Sequence, residues 1–174
     1  GIPPGSVQFN VDGVNVGGVR LLNAQGRATY STVGLTGGSH SVIATYSGTT
    51  VFASAGSATL TQVVDPLATT LVVTSNRNPS VFGQSVRFTA RVTPTAAAGG
   101  TVQFTVDGVA VGGPVVVNAI GRATLVTAFA AVGTHTVSAA YGGTVSYLPS
   151  MSTTPEPPFL LSAQTFGSRK SVGV

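Results

Sequence analysis

Apolar and polar residues alternate over short runs along most of this chain. In Val102-Gln103-Phe104-Thr105-Val106 the apolar positions fall on every second residue, the period of a strand that buries one face. Asp107-Gly108 follows at once. Asp-Gly between two alternating runs predicts a type I′ hairpin, because both central residues of that turn need positive φ. Further runs over 114–117, 122–127 and 134–141 are bounded by Gly or Asn, and two more, over 70–74 and 82–94, lie upstream. With a closing strand these make about seven short strands, the number and spacing of an antiparallel sandwich. No window keeps a 3.6-residue apolar period with helix caps, so the expected fold class is all-β.

The pattern occurs twice. Gly5-Ser-Val-Gln-Phe-Asn-Val-Asp-Gly-Val-Asn-Val-Gly-Gly18 lies over Gly100-Thr-Val-Gln-Phe-Thr-Val-Asp-Gly-Val-Ala-Val-Gly-Gly113, an offset of 95. The register holds without a gap through Asn23/Asn118, His40/His135, Tyr46/Tyr141 and Gly48/Gly143, which is the mark of duplication. The runs over 70–74 and 82–94 have no counterpart before residue 5. Repeat one, residues 1–65, is therefore expected to lack its N-terminal strands, and repeat two to span 66–158. Residues 57–64 read as a closing strand in repeat one, but their counterpart Ser152-Thr-Thr-Pro-Glu-Pro-Pro-Phe159 holds three prolines, which cannot donate to a ladder. The last strand of repeat two is expected further on, within the 159–174 tail, over 159–165.

Composition narrows the function classes. Only 7% of residues are charged while 43% are hydrophobic, and the abundance of Val and Thr favours pleated sheet over disorder. No apolar run is long enough for a membrane helix, so no membrane insertion is expected in this segment. With zero cysteines there is neither a disulfide framework nor a thiolate metal site. The net charge of +4 comes from 8 basic residues set against 4 acids. Arg20, Arg27, Arg77, Arg87, Arg91 and Arg122 are scattered over the sandwich segments. Nucleic acid is not an expected partner, because its binding faces combine clustered cations with aromatic platforms.

Three spaced blocks, Gly-x-Val-x-Phe-x-x-Asp-Gly-x-x-x-Gly, Asn-x-x-Gly-x-Ala-Thr and Gly-x-His-x-Val-x-Ala-x-Tyr-x-Gly, occur in order in both copies. They resemble the bacterial immunoglobulin-like domain repeats found in tandem in large surface proteins and adhesins. The resemblance implies tandem Ig-like sandwiches, a secreted or bacterial cell-surface location, and adjacent repeats of the same polypeptide as partners. Family members often follow Tyr-x-Gly with Asp, whereas Thr49 and Thr144 stand there in this chain, and that departure weakens any cation site carried over from the family.

Candidate chemistry is sparse. His40 and His135 share one repeat position and are read as structural, each hydrogen-bonding back to nearby backbone as the corner tyrosine of related sandwiches does. Asp12-Gly13 and Asp107-Gly108 are read as hairpin turns, and Tyr46 and Tyr141 as core aromatics. Asp65, the lone carboxylate at the join, falls short of the six to eight oxygens that calcium takes. No pair of acids, activated nucleophile or phosphate-cradling loop emerges. The expected catalytic residues, metal sites and cofactors are none. The leading expectation is a non-enzymatic spacer or stalk of an adhesin-like protein. Its alternatives are a loop-mediated binding module for a glycan or host protein, and a subunit that self-associates through open strand edges by donor-strand exchange.

Overall fold

The computed structural model describes residues 1–152 and 159–162. The chain divides into two compact units, Gly1–Pro66 and Leu67–Val174. The described residues hold no α-helix, and both units are built of short, mainly antiparallel strands.

Unit 1 holds β1 (Ser6–Val11), β2 (Val14–Leu21), β3 (Gly38–Tyr46), β4 (Ala55–Gly56) and β5 (Leu60–Val64). They form one sheet in the order β2-β1-β3-β4, with β5 also paired to β3. Among the described residues no second sheet lies over it. Val11 is the one buried hydrophobic residue of the unit, while Leu21 and Leu60 are 80% and 62% exposed. Residues 27–33, the counterpart of a strand in unit 2, are irregular.

Unit 2 contains β6 (Thr70–Ser75), β7 (Ser80–Val81), β8 (Ser85–Thr93), a short 3-10 turn (Thr95–Ala97), β9 (Thr101–Val106) and β10 (Val109–Val116). It continues with β11 (Arg122–Ala128), β12 (Gly133–His135), β13 (Val137–Tyr141), β14 (Ser150–Met151) and β15 (Phe159–Ser162). One sheet runs β10-β9-β13-β14 and a second β11-β8-β6, while β15 joins β12 and β7 in a small third. The core lies between the first two. From β8 come Val86, Phe88, Ala90 and Val92; Val102 and Phe104 of β9 meet them, together with Tyr141 of β13. The burial of β8 alternates at every residue on its buried side, as the period-two pattern requires. The pairing β11–β8 explains the irregular 27–33 segment of unit 1, which among the described residues has no β8 equivalent beside it to supply ladder partners.

Two local features depart from a simple reading of the runs. Residues 114–117 do not start a new strand: β10 continues from Val109 through a bulge between Val111 and Val115. Pro114 is tolerated there because β10 is an edge strand. The closing strand of unit 2 is β15, pairing Gly133 with Leu161 where unit 1 pairs Gly38 with Val64. The partner of the repeated glycine has thus moved by 97 positions (161 − 64) against the general offset of 95 (133 − 38). The prolines at 155, 157 and 158 lie outside the described residues.

Because unit 2 has two layers and unit 1 one, equivalent truncations should differ in cost. Phe104 is fully buried, and Phe104→Ala is expected to destabilise unit 2 by about 3–5 kcal/mol. Its counterpart Phe9 is only half-buried, stacked on Tyr30 at 5.9 Å. Phe9→Ala should shift the melting of unit 1 by much less. Equal losses in urea titrations of the two variants would show that unit 1 has a covered core after all.

Candidate functional site

Asp12 and Gly13 link β1 to β2 with φ of 50° and 83°; Asp107 and Gly108 link β9 to β10 with φ of 49° and 80°. Both residues of each turn are in the left-handed region, the type I′ geometry that Asp-Gly favours. Positive φ at Asp frees its carboxylate to reach back across the sheet. Asp12 Oδ1 accepts the Ser41 backbone N–H at 2.7 Å, and Asp12 N–H donates to the Ser41 carbonyl at 2.9 Å. Unit 2 repeats both bonds between Asp107 and Thr136, each at 2.8 Å.

The second carboxylate oxygen meets the histidine. Asp12 Oδ2 lies 2.6 Å from His40 Nδ1, and Asp107 Oδ2 lies 2.7 Å from His135 Nδ1. In both copies the partners are 28 residues apart. The other ring nitrogen faces a backbone carbonyl, Thr36 O at 2.9 Å for His40 and Ala131 O at 3.2 Å for His135. Two acceptors flanking one imidazole ask it to donate from both nitrogens, which only the protonated ring can do. The hydrogen bond to Asp12 raises the His40 pKa, and the same contact holds Asp12 below its ordinary value; Asp107 and His135 behave alike. Both ring nitrogens of each histidine are thus engaged within the protein. His135 is further fixed by stacking on Phe129, centroids 4.6 Å apart.

Sequence reasoning assigned the aspartates and histidines separately, as turn residues and as backbone-bonding residues. The histidines do bond backbone, but their shorter contact is to the turn aspartate. The tyrosines reach backbone too. Tyr141 is buried and donates to Ala97 O at 2.8 Å, and Tyr46 donates to Pro4 O at 2.6 Å. Each ties the strand that carries it to the segment before β1 or β9. A Cβ at Gly100 would stand 2.5 Å from Tyr141 Cε2, so this approach requires glycine. The Asn of the second repeated block is also structural: Asn23 Oδ1 and Asn118 Oδ1 each cap two N–H groups of the following turn. Among the described residues no group of three His, Cys, Asp or Glu side chains could hold a metal ion. The same hydrogen-bonded arrangement of turn aspartate, histidine and backbone, called the fold lock below, is built twice.

Linkage sets its pH dependence. A histidine with a raised folded pKa stabilises fully below its ordinary value of 6.5 and loses that contribution as pH rises through the folded pKa. An aspartate with a lowered folded pKa stabilises fully above its ordinary 3.8 and loses it as pH falls through the folded pKa. Melting temperature should therefore be highest between about pH 4 and 6.5 and decline on both sides. The double variant His40→Asn, His135→Asn should melt lower at pH 5 and lose the decline above pH 6.5; an unchanged alkaline limb would remove the lock from the account.

Residues 1–65 and 73–156 match the family model of the bacterial Ig-like domain (group 3). No protein of curated function matches the chain. Among solved structures, the chain is similar to one described as a membrane anchored protein from Corynebacterium diphtheriae, with a TM-score of 0.45 and 18% identity over 97% of this chain and 46% of that one. It is also similar to fibronectin(III)-like modules of Clostridium thermocellum CbhA, with a TM-score of 0.41 and 16% identity over 94% of this chain and 80% of that one. A third similar structure, of a 1.5-MDa bacterial ice-binding adhesin, gives 0.40 and 16% over 94% of this chain and 55% of that one. The chain thus spans less than half of the first of these. The family model matches both copies of the repeat over most of the length, and the chain belongs to the bacterial Ig-like domain (group 3) family.

Proposed function

We propose that the chain is a pair of structural spacer modules from a secreted or cell-surface bacterial protein of the adhesin type, without catalytic activity of its own. One observation carries this reading: the residues the two copies share are spent on holding the fold. Asp, His, Tyr and Asn of the repeated blocks all direct their polar atoms to backbone or to one another. Duplicating such residues multiplies length without multiplying chemistry, which suits a stalk. Single-molecule pulling tests it. Unit 2 should resist until one abrupt event releases its folded length at roughly 3.3–3.6 Å per residue. A unit that yields gradually, with no resolved force peak, is unsuited to a stalk and would sink the reading.

A second reading is favoured by the open sheet of unit 1. Val11, Val42, Leu60 and Val64, with Tyr30 and Leu35, line a groove of about 570 Å³ on it, where unit 2 buries its equivalent face under β6 and β8. Copies of the chain would associate through this face. Sedimentation should then show mass rising with concentration, and Leu60→Asp should return the chain to monomer; a strict monomer at high concentration removes the idea.

A further inference from the structure

The arginines that are scattered in sequence are not scattered on the surface of unit 2. Strand β8 sends Val86, Phe88, Ala90 and Val92 inward, so Arg87, Thr89, Arg91 and Thr93 face out. In the ladder Arg91 stands directly opposite Arg122 of β11 on one side and Val72 of β6 on the other. One row along, Thr89 lies between Thr124 and Thr74, and beyond it Arg87 lies opposite Val126. Arg87, Arg91 and Arg122 are all exposed. Arg91, Arg122, Thr74, Thr89, Thr93 and Val72 line a shallow groove of about 490 Å³.

Like charges directly opposite one another across a ladder destabilise a sheet. The Arg91–Arg122 pair has no carboxylate to offset it: among the described residues the ion pairs are the two His–Asp contacts of the fold lock. An anion arriving from outside would supply a counter-charge to both arginines. The guanidinium fork matches carboxylate and sulfate groups in a bidentate way, and two arginines whose Cα atoms face each other about 5 Å apart across the ladder are near enough to share one such group. Arg87 sits four residues along β8 from Arg91, roughly 13 Å away, placed for a second anionic group on a linear molecule. Between them lie threonine hydroxyls, which can donate to and accept from sugar hydroxyls. Among the described residues the face presents no Phe, Tyr or Trp on which a nucleobase could stack, and such stacking carries much of single-strand binding.

We propose that the outer face of the β6–β8–β11 sheet binds an acidic polysaccharide, a linear glycan bearing carboxylate or sulfate groups, through Arg91 and Arg122 with Arg87 as a further contact. This goes beyond the spacer reading and does not rest on it, since a stalk that is mechanically sound can carry the face or lack it.

The test uses the full chain, with heparin as the sulfated probe and polygalacturonate as the carboxylated one, titrated calorimetrically at low and at physiological salt. Binding to at least one is expected, weakening as salt rises because counterions are released. Arg91→Gln with Arg122→Gln should weaken it by at least about tenfold, while leaving the melting temperature equal or higher, because a repulsive pair has gone. Arg20→Gln with Arg27→Gln removes the same net charge from unit 1 and should change affinity by less than about twofold. Three results would overturn the proposal: no binding to either polysaccharide at low salt, an equal loss in the two double variants, or equally tight binding of duplex DNA, which would make the face a nonspecific polyanion surface.

Discussion

A β-sheet whose residues alternate apolar and polar has one face that water disfavours, and everything else in this fold follows from how that face is covered. In unit 2 the cover is the sheet β11-β8-β6, whose own apolar side faces inward, so that Phe88, Val102, Phe104 and Tyr141 share one core. Unit 1 repeats the β9, β10 and β13 half of this arrangement in the same register, but among the described residues it has no equivalent of β6 and β8. Its sheet survives as hydrogen-bonded strands with an open apolar face. The same sequence blocks therefore give buried side chains in one unit and half-exposed ones in the other. Burial here is a property of the second layer as much as of the repeat.

The polar lock handles a different problem. Strands β1 and β3, like β9 and β13, are neighbours in the sheet but far apart in sequence, and their alignment must be held against a slip of one residue, which would turn every side chain to the wrong face. The Asp of the hairpin grips the backbone N–H and the histidine of the neighbouring strand with its two oxygens. The tyrosine fixes the far end of that strand to the segment before the hairpin. Register is thus pinned at both ends of one long-range pairing, by bonds that need specific side chains at specific positions.

Much of this was legible in the sequence, because its signals are local. Alternation marks strands, Asp-Gly marks a two-residue turn, and a constant offset marks duplication. What remained hidden depends on which strands become neighbours. The spacing of 28 between Asp12 and His40 recurs between Asp107 and His135, a clue that the two act together, yet only the pairing of β1 with β3 shows why. The continuation of β10 through Gly112 and Gly113 was hidden for a related reason: glycine pairs mark turns and bulges alike, and the bulge is decided by the partner strand. Arg91 and Arg122 are 31 positions apart (122 − 91) in sequence and become directly opposed only through the β8–β11 register.

The end of unit 2 shows how tightly parity constrains such a fold. The strand closing against Gly133–His135 comes two positions later than in unit 1, because Leu161 stands where the plain offset would place residue 159. A shift of one would have inverted the closing strand relative to the sheet. A shift of two returns every backbone donor and acceptor to the same side, so the ladder can be rebuilt with different residues. Residues 152–159, proline-rich and a poor ladder by composition, can then diverge from residues 57–64 while the sheet beside the histidine keeps its antiparallel partner. The rebuilt strand pairs its Phe159 with His135 itself, so the register of the closing ladder and the histidine of the lock meet at one position.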